Sequence, residues 1–161
     1  MASGIRAGAL LLMPNSLDAV RALVSGMDAL QRAELSADWL ARIVDGTADA
    51  WTLGFTMVAH ATGATVGTCG YKSPPGLDGV VEIAYGVSHE YEGRGYATDA
   101  AMGMVEHALA SGHVRVVRAH TLSNEGASAR VLAKSGFRLL HQVIDHDDGA
   151  VWRWEREKNT A

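Results

Sequence analysis

The sequence predicts a mixed α/β layer fold of the α+β class, built on one sheet. Three observations carry this. Apolar residues switch from a helical period to strict alternation near residue 51 and return to the helical period near residue 98. Breaks such as Ser73-Pro74-Pro75-Gly76 separate short strands that follow one another closely enough to be antiparallel neighbours. The chain has 161 residues, 48% of them hydrophobic and 20% charged, which suits a single domain over 1–161 with its own core.

Residues 9–13 read as a first strand. Pro14, Asn15 and Ser16 then start a helix, with Asp18 at the positive end of its dipole and Leu17, Val20, Leu23 and Val24 as its buried stripe. A second helix starts at Ser36, presents Trp39, Leu40, Ile43 and Val44 on one face, and ends at Gly46. Trp51, Leu53, Phe55, Met57 and Ala59 alternate as a strand with one buried face. Ala61-Thr62-Gly63 turns the chain into a strand over 64–71, and a third follows over 80–87. A glycine-rich loop leads to a helix over 98–111, stopped by Gly112, with Ala101, Met104, Val105, Ala108 and Leu109 inward. Residues 113–122 form the next strand. Ser123 or Asn124 caps a helix that runs to Ser135 and is ended by Gly136. Strands over 137–144 and 150–155 close the chain as a hairpin around Asp147-Asp148-Gly149.

Composition excludes several classes of function. With 14 basic and 18 acidic residues the net charge is -4, the wrong sign for a surface that wraps nucleic acid, and it slightly favours cationic partners such as amines. No apolar run approaches the ~18 residues of a membrane span. The segment 7–13 behind Arg6 lacks a small-residue cleavage site and runs straight into a capped helix, which argues against a signal peptide. The single cysteine, Cys69, rules out an internal disulfide and a cysteine-based zinc site, and suits a reducing cytoplasm. His60, His89, His107, His113, His120, His141 and His146 show no metal-ligand spacing, so no metal is expected. Cys69 reads as a small buried residue, His120 as surface or core packing with an approach to the site from its strand as the alternative, and Trp152 with Trp154 as core or a homodimer contact, with a substrate wall as a further alternative.

The chemistry concentrates in residues 86–98. Gly93, Gly95 and the small Ala97 allow main-chain N–H groups to face a ligand, and the helix start adds partial positive charge, so the loop suits a pyrophosphate. A plain strand–helix loop is the alternative. A Walker loop would need Gly-Lys-Ser/Thr, which is missing. A Rossmann loop would follow a parallel strand and end on a third glycine, where Thr98 stands.

Gly93-Arg94-Gly95-Tyr96-Ala97-Thr98, with Asp99-Ala100 behind it, resembles the coenzyme-A loop of the GNAT acyltransferases. Asn124, Ser128, Arg130, Val131, Leu132, Lys134, Gly136 and Phe137 resemble the family's N-x-x-S…K-x-G-F helix and strand. With Val81-Glu82-Ile83-Ala84-Tyr85-Gly86-Val87, the set is most similar to the ribosomal-protein N-terminal acetyltransferase (RimJ/RimL-type) branch. The likeness covers residues 51–155, and the N-terminal helices by element order alone. It implies a central, mostly antiparallel sheet of six to seven strands with about four helices on both faces. It also implies a cytoplasmic N-acetyltransferase that uses acetyl-CoA and a small-molecule or peptide amine acceptor. Two positions depart from the pattern: Glu92 stands where Gln or Arg is usual, and Leu132 where many relatives carry a tyrosine acid.

An amine acceptor must lose a proton before it attacks a thioester, and the departing thiolate benefits from an acid. Glu82, on a strand face shared with Ala84 and Gly86, is the candidate base; a structural strand glutamate is the alternative. Ser128 is the candidate acid, against a hydroxyl bonded within its own helix or a water in its place. The resemblance gives Gly93, Arg94, Gly95, Tyr96, Ala97, Thr98, Asn124 and Ala127 to the cofactor, with Tyr85, Gly86 and Val87 along its pantetheine arm; Asn124 also reads as a helix cap. A coenzyme-A-binding sensor or interaction domain without catalysis is the rival reading, favoured by Glu92 and Leu132.

Overall fold

The computed structural model describes residues 4–145 and 148–158. Its strands are β1 (Ile5–Ala7), β2 (Leu10–Pro14), β3 (Phe55–Ala59), β4 (Thr65–Tyr71), β5 (Val80–Val87), β6 (Val116–Thr121), β7 (Arg138–Asp145) and β8 (Gly149–Glu157). They form one sheet in the order β1-β2-β3-β4-β5-β6-β8-β7, antiparallel throughout except where β5 meets β6. The helices among the described residues are α1 (Leu17–Ser25), α2 (Ala29–Ala33), α3 (Ala37–Asp45), α4 (Ala50–Leu53), α5 (Tyr96–Ala110) and α6 (Ala127–Lys134), with a 3-10 turn over His89–Tyr91. No helix among the described residues is long and apolar enough to cross a membrane.

The mixed α/β class read from the sequence is the observed one, and the start signals behave as chemistry requires. The Ser16 hydroxyl accepts from the Ala19 N–H to cap α1, and Ser36 accepts from Trp39 to cap α3, which ends on Gly46 in the left-handed region. Three short elements add to the expected count. β1 contributes an eighth strand of three residues, too short to show a period. Asp28 and Gln31 close a capping box on α2, which buries no residue and so leaves no apolar stripe. Trp51 and Leu53 lie in α4 rather than in a strand: the Asp49 carboxylate accepts from the Trp51 N–H and nucleates a turn, and β3 begins only at Phe55. His146 and Asp147 of the final hairpin lie outside the described residues.

α5 packs on one face of the sheet and fixes the geometry of everything near it. Ala100, Ala101, Met104, Val105 and Ala108 are buried against Leu10, Leu12, Met57, Val81, Ile83 and Val117. Each large apolar side chain so buried contributes about 1.5–3 kcal/mol. Contact with the first strands is close enough that a Cβ on Gly103 would strike the Ala7 side chain. The buried Tyr71 hydroxyl donates to the Met104 carbonyl at 2.6 Å, tying β4 to the helix. Cys69 is core, as expected, and burial pushes its thiol up to about 12, far from a nucleophile's range. Trp154 is core as well: its indole N–H donates to the Thr121 hydroxyl, which donates to the Ser123 carbonyl and secures the turn leading into α6.

Candidate active site

β5 and β6 pair over only three residues, Val80, Val81 and Glu82 against Val116, Val117 and Arg118. Beyond them β5 runs on to Val87 and β6 to Thr121 without pairing, so the two strands open into a V with Glu82 at its vertex. On its other edge β5 stays bonded to β4: the Lys72 N–H donates to the Glu82 carbonyl and the Ser88 N–H to the Val66 carbonyl, both at 2.8 Å. Strand alternation therefore turns the main chain of Ala84 and Gly86 toward β4, and that of Ile83, Tyr85 and Val87 into the gap. These are main-chain donors and acceptors on an unpaired edge, suited to an extended amide-bearing ligand. Gly67 keeps the β4–β5 seam tight here, because a Cβ on it would collide with the Gly86 carbonyl and the Val87 Cα.

The start of α5 closes one end of this gap. Gly93 and Gly95 sit at φ 76° and 84°, in the left-handed region, with open space where a Cβ would stand. Gly95 occupies the N-cap and no side chain caps the helix, which leaves the first-turn N–H groups without side-chain partners. The acid in that turn is engaged elsewhere, since the Asp99 carboxylate accepts from the Ala9 N–H at 3.1 Å. Such a terminus favours an anion.

α6 forms the far wall. Together β5, the loop and α6 enclose a cleft of about 560 Å³ lined by Tyr85, Gly86, Val87, Tyr91, Glu92, Gly93, Gly95, Tyr96, Ala97, Thr98, Ala127, Ser128, Arg130, Val131 and Lys134. Tyr85 and Ser128 meet across it through a side-chain hydrogen bond; burial dominates and raises the Tyr85 phenol to about 12. Tyr85 thus stays protonated through the neutral range and can donate. Glu92 does reach the cleft, where it approaches His89 at 3.4 Å, and Arg130 and Lys134 supply opposing charge from α6.

Glu82 points away from this cleft, to the sheet face opposite α5. Its carboxylate lies 2.9 Å from His120 Nδ1 and 3.1 Å from the Lys72 ammonium. Arg153 Nε donates to His120 Nε2 at 3.1 Å. An arginine cannot accept, so Nε2 is the accepting nitrogen and the Nδ1–H is left to donate to Glu82. Arg118 and Glu155, 2.7 Å apart, pair beside them. Thr68, Gly70, Lys72, Ala84 and Gly86 line a hollow of about 260 Å³ on the same region of the sheet.

Most residues expected at the site do line the cleft, with three exceptions, and the cap expected for the last helix is corrected. Arg94 is not among its lining residues; its guanidinium sits 5.5 Å over the Tyr91 ring, an attraction that holds it on the loop. Asn124 is exposed outside it and is no cap, nor is Ser123: Gly126 occupies the N-cap of α6, while the Ser123 hydroxyl accepts from the Glu125 N–H and builds the preceding turn. Glu82 belongs to the opposite face, at the vertex. Leu132 is fully buried and is not among the cleft's lining residues. Sequence reasoning missed Tyr91, Arg130, Val131 and Lys134 as lining residues, and Lys72, His120 and Arg153 as the surroundings of Glu82. Lys134 and Arg130 follow Ala127 at helical spacing, a signal that could have placed them. For His120 the approach to the site from its strand was the alternative to packing, and its meeting with Glu82 depends on the parallel β5–β6 pairing. Among the described residues no group of three or more His, Cys, Asp or Glu could hold a metal ion.

A family model described as an acetyltransferase (GNAT) domain matches residues 13–138. No curated protein matches the chain in sequence. Among solved structures, a GNAT-family acetyltransferase candidate from Bordetella pertussis is 25% identical, with a TM-score of 0.66 over 96% of this chain and 99% of its own. A GNAT-family acetyltransferase from Bacillus anthracis superimposes with a TM-score of 0.67 at 17% identity, covering 96% and 98%. RimL, a ribosomal L7/L12 alpha-N-protein acetyltransferase in complex with coenzyme A, gives 0.70 at 14% identity over 96% and 98%.

Proposed function

The chain belongs to the acetyltransferase (GNAT) family, and from that premise we propose that it moves the acetyl group of acetyl-CoA to a primary amine by direct attack. The observation that carries this reading is the V between β5 and β6, with an open strand edge on one arm and an uncapped helix start beside it. The residues present fit the cofactor. First-turn N–H groups of α5 behind Gly93 and Gly95 would hold the pyrophosphate, with Arg130 and Lys134 offsetting Glu92. Tyr85 and Val87 would pair their main chain with the amides of the pantetheine arm. Bound there, acetyl-CoA would supply an activated acyl group.

Glu82 would take the proton that the acceptor ammonium must lose, and His120, locked by Arg153, would hold that carboxylate in place. The hydroxyl pair Tyr85–Ser128 would donate to the departing sulfur, Tyr85 being held protonated by its burial. This shares with Tyr85 the role expected of Ser128 alone. The acceptor would approach from the face that bears Glu82. The test is thiol release from acetyl-CoA with a panel of primary amines. Release with at least one amine, cut about 100-fold or more by Glu82→Gln, is expected; equal release by the variant would remove Glu82 from the chemistry.

A second reading, coenzyme A binding without catalysis, is favoured by Glu92 in the cleft wall. It predicts cofactor binding with no thiol release from any amine.

A further inference from the structure

A general base acts on a proton within hydrogen-bond reach or through one water, so an acceptor nitrogen about 3 Å from a Glu82 oxygen is placed for direct transfer. That position already holds a primary amine. The Lys72 ammonium lies 3.1 Å from Glu82 Oε2, on a side chain 51% exposed. Its main chain is anchored, the Lys72 N–H donating to the Glu82 carbonyl at 2.8 Å, so the side chain alone can move. It also lines the hollow on this face beside Gly70, Ala84, Gly86 and Tyr85, the last of which lines the cleft as well.

We infer that Lys72 is a built-in acceptor: the enzyme acetylates its own Lys72 at the position an external amine would take. The inference rests on the acetyltransferase reading and on Glu82 as its base. In the step, Glu82 takes one proton from the Lys72 ammonium and releases it to water. The freed nitrogen lone pair forms a bond to the thioester carbonyl carbon. The carbon–sulfur bond breaks; the sulfur keeps the electron pair and takes a proton from the Tyr85–Ser128 hydroxyl pair, which is restored by the second proton from nitrogen. The products are Nε-acetyl-Lys72 and free coenzyme A. The modified side chain has no charge and no longer pairs with Glu82, so the event occurs once per chain and leaves the carboxylate to His120.

The chain has three lysines, Lys72, Lys134 and Lys158, and the other two serve as controls within one molecule. The full chain is incubated with acetyl-CoA alone, and acetylation at each lysine is followed by peptide mass spectrometry over time. Lys72 is expected to acquire one acetyl group about 100-fold faster than Lys158, falling to the Lys158 rate in Glu82→Gln and absent from Lys72→Arg. The wild-type comparison between lysines needs no variant to fold. Acetylation of Lys72 no faster than Lys158, while an added amine is acetylated, overturns the inference and leaves the enzyme reading intact. So does a Lys72 rate unchanged by Glu82→Gln. No acetyl transfer to any amine, internal or added, overturns both.

Discussion

Along its open edge β5 presents the main chain of Ile83, Tyr85 and Val87, whereas on the face away from α5 it presents one carboxylate, Glu82, among Lys72, His120 and, through His120, Arg153. The first region offers backbone. Its donors come from an unpaired strand edge and a helix start, and its defining residues are glycines and small side chains that stay out of the way. The second offers charge, and each member there is a side chain with a named partner. The division suits the proposed reaction, in which the donor is always the same molecule and the acceptor is whatever the charged face selects. It also places the net charge of -4 in perspective: around Glu82 the local fixed charges include Lys72, Arg118 and Arg153 against Glu82 and Glu155, so the acceptor face is more basic than the whole chain.

If the two regions are separable, a change in one should leave the other's observable alone. The largest effect is expected at Glu82, where Gln should lower turnover about 10²- to 10⁴-fold while acetyl-CoA affinity stays within a few-fold; a matched loss of both would merge the regions. Next, Gly95→Trp forces a bulky residue into a left-handed backbone at φ 84° and into the cleft, and should weaken acetyl-CoA binding by about 100-fold or more. Tyr85→Phe and Ser128→Ala should each slow thiol release by about tenfold, and the double variant by less than their product, since the two hydroxyls share one bond. Leu132→Ala should act on neither site. It should cost about 2–5 kcal/mol in urea unfolding, because Leu132 is fully buried.

The smallest effect concerns pH. The folded state holds the Cys69 thiol protonated up to about 12, above its ordinary 9.0. Above pH 9.0 the unfolded chain sheds that proton and the native chain does not, so stability falls as pH rises across that window. Cys69→Ala should flatten the fall. An identical slope in the variant would mean the thiol is not shielded.

The contrast between the regions also explains what could be read before the structure. Gly93, Gly95 and Ala97 announce a backbone-lined site because the absence of a side chain is itself a letter in the sequence. The caps Ser16 and Ser36 were visible for a related reason: a cap acts within three residues of itself. The surroundings of Glu82 were hidden because Lys72, His120 and Arg153 come from β4, β6 and β8, and they meet only through a strand order that places β6 parallel to β5 and β8 beside it. For the same reason an approach of His120 to the site stood in the sequence only as an alternative to packing. α4 was misread from a local cause: alternation over Trp51 and Leu53 looked like the first residues of β3 until the Asp49 cap turned the chain.

The most direct test of the two-region account is calorimetric titration with acetyl-CoA of the wild type, Gly95→Trp and Glu82→Gln. Comparable binding by the wild type and Glu82→Gln, with loss in Gly95→Trp, is the predicted result and places the cofactor on the backbone-lined side. Failure of the wild type to bind, or undiminished binding by Gly95→Trp, would contradict it.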